Sequence, residues 1–220
     1  MPKKWLKDEL HRNEISLFLS TIISWTKEHQ ENAVIAGILF LALAVFIPII
    51  AVQHHKRNIE TMGILNRAQF LHFNGNVDEA LKNYGILTEQ YKDTGAGLMA
   101  LLFQADIAYE KREFDKAEAH YRTALAHKKK SLLEPDIYIG LAKTCEEEQK
   151  YPEAESFYNK FLELFSQHPL APEAYLGKTR ALLFMGKNDL AQNTIQMLLS
   201  RYSGTRWEEI GKAYLQKTGY

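Results

Sequence analysis

Residues 105–121, ADIAYEKREFDKAEAHY, and residues 142–158, AKTCEEEQKYPEAESFY, carry one pattern twice. Each opens on alanine (Ala105, Ala142), places an aromatic ring next (Phe114, Tyr151), then alanine (Ala117, Ala154), and closes on tyrosine (Tyr121, Tyr158). The two copies are offset by 37 residues. Residues 68–84, AQFLHFNGNVDEALKNY, hold the same positions one period earlier with Ala68, Val77, Ala80 and Tyr84. Residues 179–195, TRALLFMGKNDLAQNTI, hold them one period later with Thr179, Asn188, Ala191 and Ile195. A fixed period of this length marks a repeat array.

Two antiparallel helices per period satisfy the pattern. A small residue at Ala68, Ala105 and Ala142 lets one helix approach its partner, and the alanine at Ala80, Ala117, Ala154 and Ala191 does so from the other side. The aromatic one helical turn later shares that face and fills the gap between units. Gly75 and Gly186 suit a helix end that needs left-handed backbone. Arg112 and Gln149 hold that place in the middle units. One hairpin cannot bury its apolar face alone, whereas stacked neighbours can. Asn188 and Ile195 replace aromatics in the last unit, so a looser edge is expected there.

Breakers separate the helices at Asp93-Thr94-Gly95, Glu134-Pro135-Asp136, His168-Pro169, Ala171-Pro172 and Ser203-Gly204. Thr205-Arg206-Trp207-Glu208 reads as a capping box, opening a last helix that runs to about Lys217 and covers the end of the array. These marks resemble the tetratricopeptide repeat over residues 61 to about 204, each unit being slightly longer than the family's usual one. The resemblance implies an all-α, right-handed solenoid of four hairpins with a capping helix, whose first helices line a concave groove. By register that lining includes Gln69, His72, Asp106, Tyr109, Lys143, Glu146, Arg180 and Leu183. Leu65, Leu102, Ile139 and Leu176 are apolar in every unit and read as core. The groove is mixed in charge and lacks the repeated cations that would hold a peptide C-terminal carboxylate. It suits recognition of a polypeptide chain.

Upstream of the repeats, residues 33–52 read AVIAGILFLALAVFIPIIAV. From Ala33 to Val52 there is no charge, amide or hydroxyl. A helix of this length spans about 30 Å, the thickness of a bilayer core, and only a helix satisfies a lone span's backbone in lipid. The flanking residues lack a cleavage pattern, so an uncleaved anchor is expected. Just before it, Ile15, Phe18, Leu19, Ile22 and Thr26 fall on one helical face and Ser16, Ser20 and Ser24 on another. That pattern fits an amphipathic helix in the headgroup region, with Trp25 as its interfacial ring. The expected organisation is an N-terminal segment at 1–32, a transmembrane helix at 33–52, a juxtamembrane linker at 53–60, four repeats over 61–204 and a capping helix over 205–220.

Charge narrows function by exclusion. Lys+Arg and Asp+Glu both total 27. No basic field is available for nucleic acid. Lys128-Lys129-Lys130 reads as a solvated stretch between helices. Cys145 is the single cysteine, so no intramolecular disulfide or cysteine-rich metal site forms, and its register makes it a small core residue. His54-His55 adjoins Lys56-Arg57 as a polar collar, and His120 with His127 lacks a third ligand. No nucleophile, zinc-helix or phosphate-loop motif is present, so no catalytic, cofactor or metal site and no small-molecule substrate is expected. For orientation, Lys3, Lys4, Lys7, Arg12 and Lys27 favour a cytoplasmic N-terminus, while Lys56, Arg57 and Arg67 just beyond the span favour the reverse.

The layout of short segment, span and repeats resembles the YfgM-like ancillary subunits of the bacterial SecYEG translocon. Residues 161–169, FLELFSQHP, and 198–204, LLSRYSG, also look like the links of periplasmic cell-division coordinator repeats. The resemblance implies an inner-membrane protein with its N-terminus in the cytoplasm and its repeats in the periplasm. It also implies Sec translocon subunits and periplasmic chaperones as partners. A structural or assembly factor of another envelope machine is the competing reading.

Overall fold

The structure is a computed structural model. It describes residues 16–18, 20–22, 24, 25, 27–127 and 132–217. The chain divides into two compact units, residues 1–57 and 58–220. Among the described residues every regular element is a helix.

In the first unit the described residues between 16 and 28 are helical, and the Trp25 and His29 rings stack at 5.4 Å. Ile15, Leu19 and Thr26 of the expected interfacial face lie outside the described residues, as do Lys3, Lys4, Lys7 and Arg12. Helix α1 (Gln30–Phe73) then carries the apolar run. Val34, Ile38, Leu41, Val45 and Ile49 are all exposed along it. Its most apolar window is wholly unburied, and the helix is long and apolar enough to cross a membrane. Residues 53–60, which composition marks as a linker, are helical within α1.

In the second unit the end of α1 pairs with α2 (Val77–Gln90). The next hairpins are α3 (Gly95–Glu110) with α4 (Phe114–Leu125), α5 (Glu134–Glu147) with α6 (Tyr151–Leu164), and α7 (Ala171–Phe184) with α8 (Asn188–Arg201). Helix α9 (Arg206–Lys217) follows. Local chemistry sets several starts. Thr94 caps α3, its Oγ1 accepting from the Gly97 N–H at 3.0 Å. Pro135, Pro152 and Pro172 occupy the first turns of α5, α6 and α7, where a missing N–H costs nothing. Lys128-Lys129-Lys130 lies outside the described residues.

The four hairpin turns share one geometry. Gly75, Arg112, Gln149 and Gly186 all adopt positive φ, between 60° and 81°. Each donates its N–H three residues back, and the next residue donates five back, as in Asn76 to the Leu71 carbonyl at 2.9 Å and Glu113 to the Ala108 carbonyl at 2.8 Å. This is the Schellman closure. Arg112 and Gln149 therefore hold a conformation that strains a side-chain-bearing residue by roughly 1–2 kcal/mol. The doubled hydrogen bonds and the packing on either side outweigh that cost.

Four apolar clusters follow one another along the array. Ala80, Ala117, Ala154 and Ala191 are at most 1% exposed, as are Ala68, Ala105, Ala142 and Cys145. Leu65, Leu102, Ile139 and Leu176 are buried as core. Burying side chains of the size of Leu98 or Phe161 contributes about 1.5–3 kcal/mol each. The last joint is tighter than Asn188 and Ile195 suggest. Ile195 is 1% exposed, because Trp207, Ile210 and Tyr214 of α9 pack on its cluster. At α9 the Thr205 Oγ1 accepts from the Trp207 N–H at 3.3 Å and donates to the Tyr202 carbonyl at 2.6 Å, while the Glu208 carboxylate accepts one residue early, from the Gly204 N–H at 2.6 Å.

Candidate protein-binding groove

The residue after each small position of the first helices and the residue three further on share a helical face. In register these are Gln69 and His72, Asp106 and Tyr109, Lys143 and Glu146, Arg180 and Leu183. None of the eight is buried. Helix α3 also touches α5, and α5 touches α7, so the first helices run side by side along one face of the array.

Two cavities open on that face. One, of about 560 Å³, is lined by Asp106, Tyr109 and Lys143, by the carboxylates of Glu110, Asp136 and Glu173, and by apolar side chains of α3, α5 and the segments before α5 and α7. The other, of about 470 Å³, is lined by Tyr109, Lys143, Glu146 and Arg180. Tyr109 and Lys143 stand between them. Leu183 turns instead toward Tyr214 and Leu215 of the capping helix. Gln69 and His72 line neither cavity.

Internal bonds fix part of this surface. Arg180 grips Glu146 with two bonds, Nε to Oε1 at 3.0 Å and Nη2 to Oε2 at 2.8 Å. The Tyr158 hydroxyl donates to the same carboxylate at 2.5 Å. The Tyr121 hydroxyl donates to Asp106, and Lys143 pairs with Glu173. Burial first, then the adjoining carboxylate, pushes both tyrosine hydroxyls well above their usual range. Asp106 keeps contact with solvent, yet the surrounding protein raises its carboxyl. The Tyr121 hydroxyl counters that rise, and the Glu110 and Asp136 charges add to it.

Register alone assigned Tyr121 and Tyr158 to gap filling. Their hydroxyls also anchor groove carboxylates, and the choice of tyrosine over phenylalanine was the available sign. Gly140 and Gly177 are also 37 residues apart. A Cβ at Gly140 would press into the Tyr121 ring, and one at Gly177 into the Tyr158 ring. These glycines are the seats of the two rings.

Among the described residues, Glu118, Cys145 and Glu153 come close enough to be possible metal ligands. Lys150 and Arg122 already hold the Glu118 carboxylate, at 2.9 and 2.5 Å, and Arg122 also reaches Glu153 at 3.9 Å. Burial pushes the Cys145 thiol up to about 12. That chemistry describes an ion-pair network over a core thiol. His127 spends Nε2 on the Lys92 carbonyl at 2.7 Å.

The sequence pattern of the tetratricopeptide repeat-like domain family matches residues 24–163. Among solved structures, BtubC (BKLC) from P. vanneervenii aligns with TM-score 0.56 and 16% identity, over 73% of this chain and 65% of that one. The OM64 TPR domain of Arabidopsis aligns with TM-score 0.45 and 17% identity, over 55% of this chain and 95% of that one. No curated protein sequence matches the chain significantly. The fold is of a kind that typically serves as a non-catalytic interaction scaffold, and no enzyme family is indicated. The family pattern extends over well more than half of the residues, from the apolar helix through the third hairpin, so the chain belongs to the tetratricopeptide repeat-like domain family.

Proposed function

We propose that this protein is a membrane-anchored scaffold of the bacterial inner membrane that binds protein partners through the concave face of its repeats. Residues 33–52 serve as the single-pass anchor, residues 1–32 lie in the cytoplasm, and the repeats lie in the periplasm. There the protein works beside the Sec translocon and passes emerging chains to periplasmic chaperones. Two adjoining open cavities on the face lined by the first helices carry this reading. Asp106, Tyr109, Lys143, Glu146 and Arg180 belong to their polar part, and the mixed charge favours polypeptide contacts of modest affinity over a carboxylate clamp. The apolar helix and the resemblance in layout support the membrane setting.

Purification of the whole protein in mild detergent, followed by mass spectrometry of what accompanies it, tests the partner assignment. Translocon subunits and periplasmic chaperones are the expected companions. Division or secretion components in their place would favour an assembly factor of another envelope machine. A reporter fused after Tyr220 tests orientation: one that works only outside the cytoplasm should be active, and activity of a cytoplasm-only reporter would reverse the topology.

A further inference from the structure

The larger cavity has a one-sided electrostatic character that its neighbour lacks. Four carboxylates line it, from Asp106, Glu110, Asp136 and Glu173, against the single ammonium of Lys143. Lys143 is spent on Glu173, and Asp106 accepts from the Tyr121 hydroxyl. Glu110 and Asp136 are exposed and have no ion-pair or hydrogen-bond partner among the described residues. They also oppose the ionisation of Asp106, which His72 favours, so among the described residues carboxylates outnumber cations at this opening. In the adjoining cavity the acids are matched: Glu146 with Arg180, and Glu147 with Arg112 at 3.8 Å.

The rest of the larger cavity is mostly apolar. Met99, Phe103, Leu133 and Leu170 line it and are only half-buried, so each retains surface that a ligand could cover. A small polyamine would answer the charge and leave that surface wet. An acidic segment would meet the unpaired carboxylates. A polypeptide with an apolar side chain flanked by Lys or Arg answers both, and the adjoining cavity gives it room to continue.

Resting on the scaffold reading above, we propose that the groove between α3 and α5 selects basic-apolar segments of partner polypeptides. The apolar side chain enters the cavity, and the flanking cations neutralise Glu110, Asp136 and Asp106. Exposed charge pairs gain modestly and are screened by salt, so selectivity comes from several contacts acting together.

The test uses the full chain in mild detergent and fluorescence anisotropy with three labelled ten-residue peptides. One alternates Leu and Lys, one Leu and Glu, one Gly and Lys. The Leu-Lys peptide should bind about tenfold tighter than either other, and raised salt should weaken it. Glu110→Gln with Asp136→Asn should weaken Leu-Lys binding about tenfold, while Asp189→Asn with Glu209→Gln, on α8 and α9, should leave it unchanged. Circular dichroism checks that both double variants stay folded. Equal binding of the Leu-Glu or Gly-Lys peptide, no binding of Leu-Lys, or full binding by the groove variant would each overturn the proposal. So would self-association of the chain that displaces the Leu-Lys peptide. Recovery of the same partners by the groove variant would leave the scaffold reading standing while this proposal fell.

Discussion

The joint between the first and second hairpins differs from the two that follow. Tyr84, Tyr121 and Tyr158 occupy one register, and all three are buried. Tyr121 and Tyr158 sit over glycines, Gly140 and Gly177, and their hydroxyls reach the acidic groove residues Asp106 and Glu146. Tyr84 instead stacks on Phe103 with ring centroids 5.2 Å apart. Its hydroxyl has no hydrogen-bond partner among the described residues, and burial pushes it up to about 12. A ring seated on glycine can pass its polar tip to the groove, while a ring stacked on another ring spends its position on contact area. The inner joints therefore tie the packing of the array to the open face of its first helices, and the first joint only packs.

Overfilling the alanine ladder should do the most damage, because all joints depend on it. Ala117→Leu or Ala154→Leu should cost about 3 kcal/mol by overpacking. Ala119→Leu and Ala126→Leu, at exposed positions, should stay within about 0.5 kcal/mol. Thermal midpoints of the full chain in detergent would show the gap, at about 2–4 °C per kcal/mol. Equal tolerance at all four sites would reduce the ladder to coincidence.

Next comes the ring seat itself. Gly177→Ala should cost about 2 kcal/mol, since the new methyl displaces a ring held by a carboxylate. Gly85→Ala, in α2 with open space around it, should gain about 0.5–1 kcal/mol from helix propensity. The opposite signs are the informative outcome of paired melts.

The hydroxyls sharpen the contrast further. Tyr158→Phe removes a bond to a charged acceptor and should cost about 1.5 kcal/mol. Tyr84→Phe removes an unsatisfied group and should be neutral or stabilising by about 1 kcal/mol. Chemical denaturation midpoints would show it, and equal losses at the two tyrosines would erase the distinction between the joints.

The smallest effect belongs to the turns. Arg112→Gly and Gln149→Gly relieve left-handed strain but loosen the unfolded chain, leaving a gain of about 0.5 kcal/mol each. Gly75→Ala should lose about 1 kcal/mol at the equivalent turn. A loss at Arg112→Gly in the same melts would mean that its side chain, near Glu147 and Phe114, matters more than its backbone.

Periodicity and hydropathy run along the chain, and for that reason they were legible in residue order. They determined the hairpins, the buried alanines at Ala117 and Ala154, the core role of Cys145 and the apolar run at 33–52. They also marked the turn positions, although Arg112 and Gln149 hid their left-handed backbone behind ordinary side chains. Helix register placed Asp106, Tyr109, Lys143, Glu146 and Arg180 on the open face.

What lay beyond reach depends on contacts between helices distant in sequence. Phe103, Gly140 and Gly177 share one register position, so the residue there decides whether the tyrosine meets a ring or a glycine. Only the stacking of successive hairpins brings that position against the tyrosine. The seal over Ile195 comes from Trp207 and Tyr214, which no property of Ile195 announces. The gathering of Glu110, Asp136 and Glu173 around one cavity joins charges from three helices. Each is ordinary in its own helix, and only packing turns them into a common field, because electrostatic and steric energies depend on distance in space rather than separation along the chain.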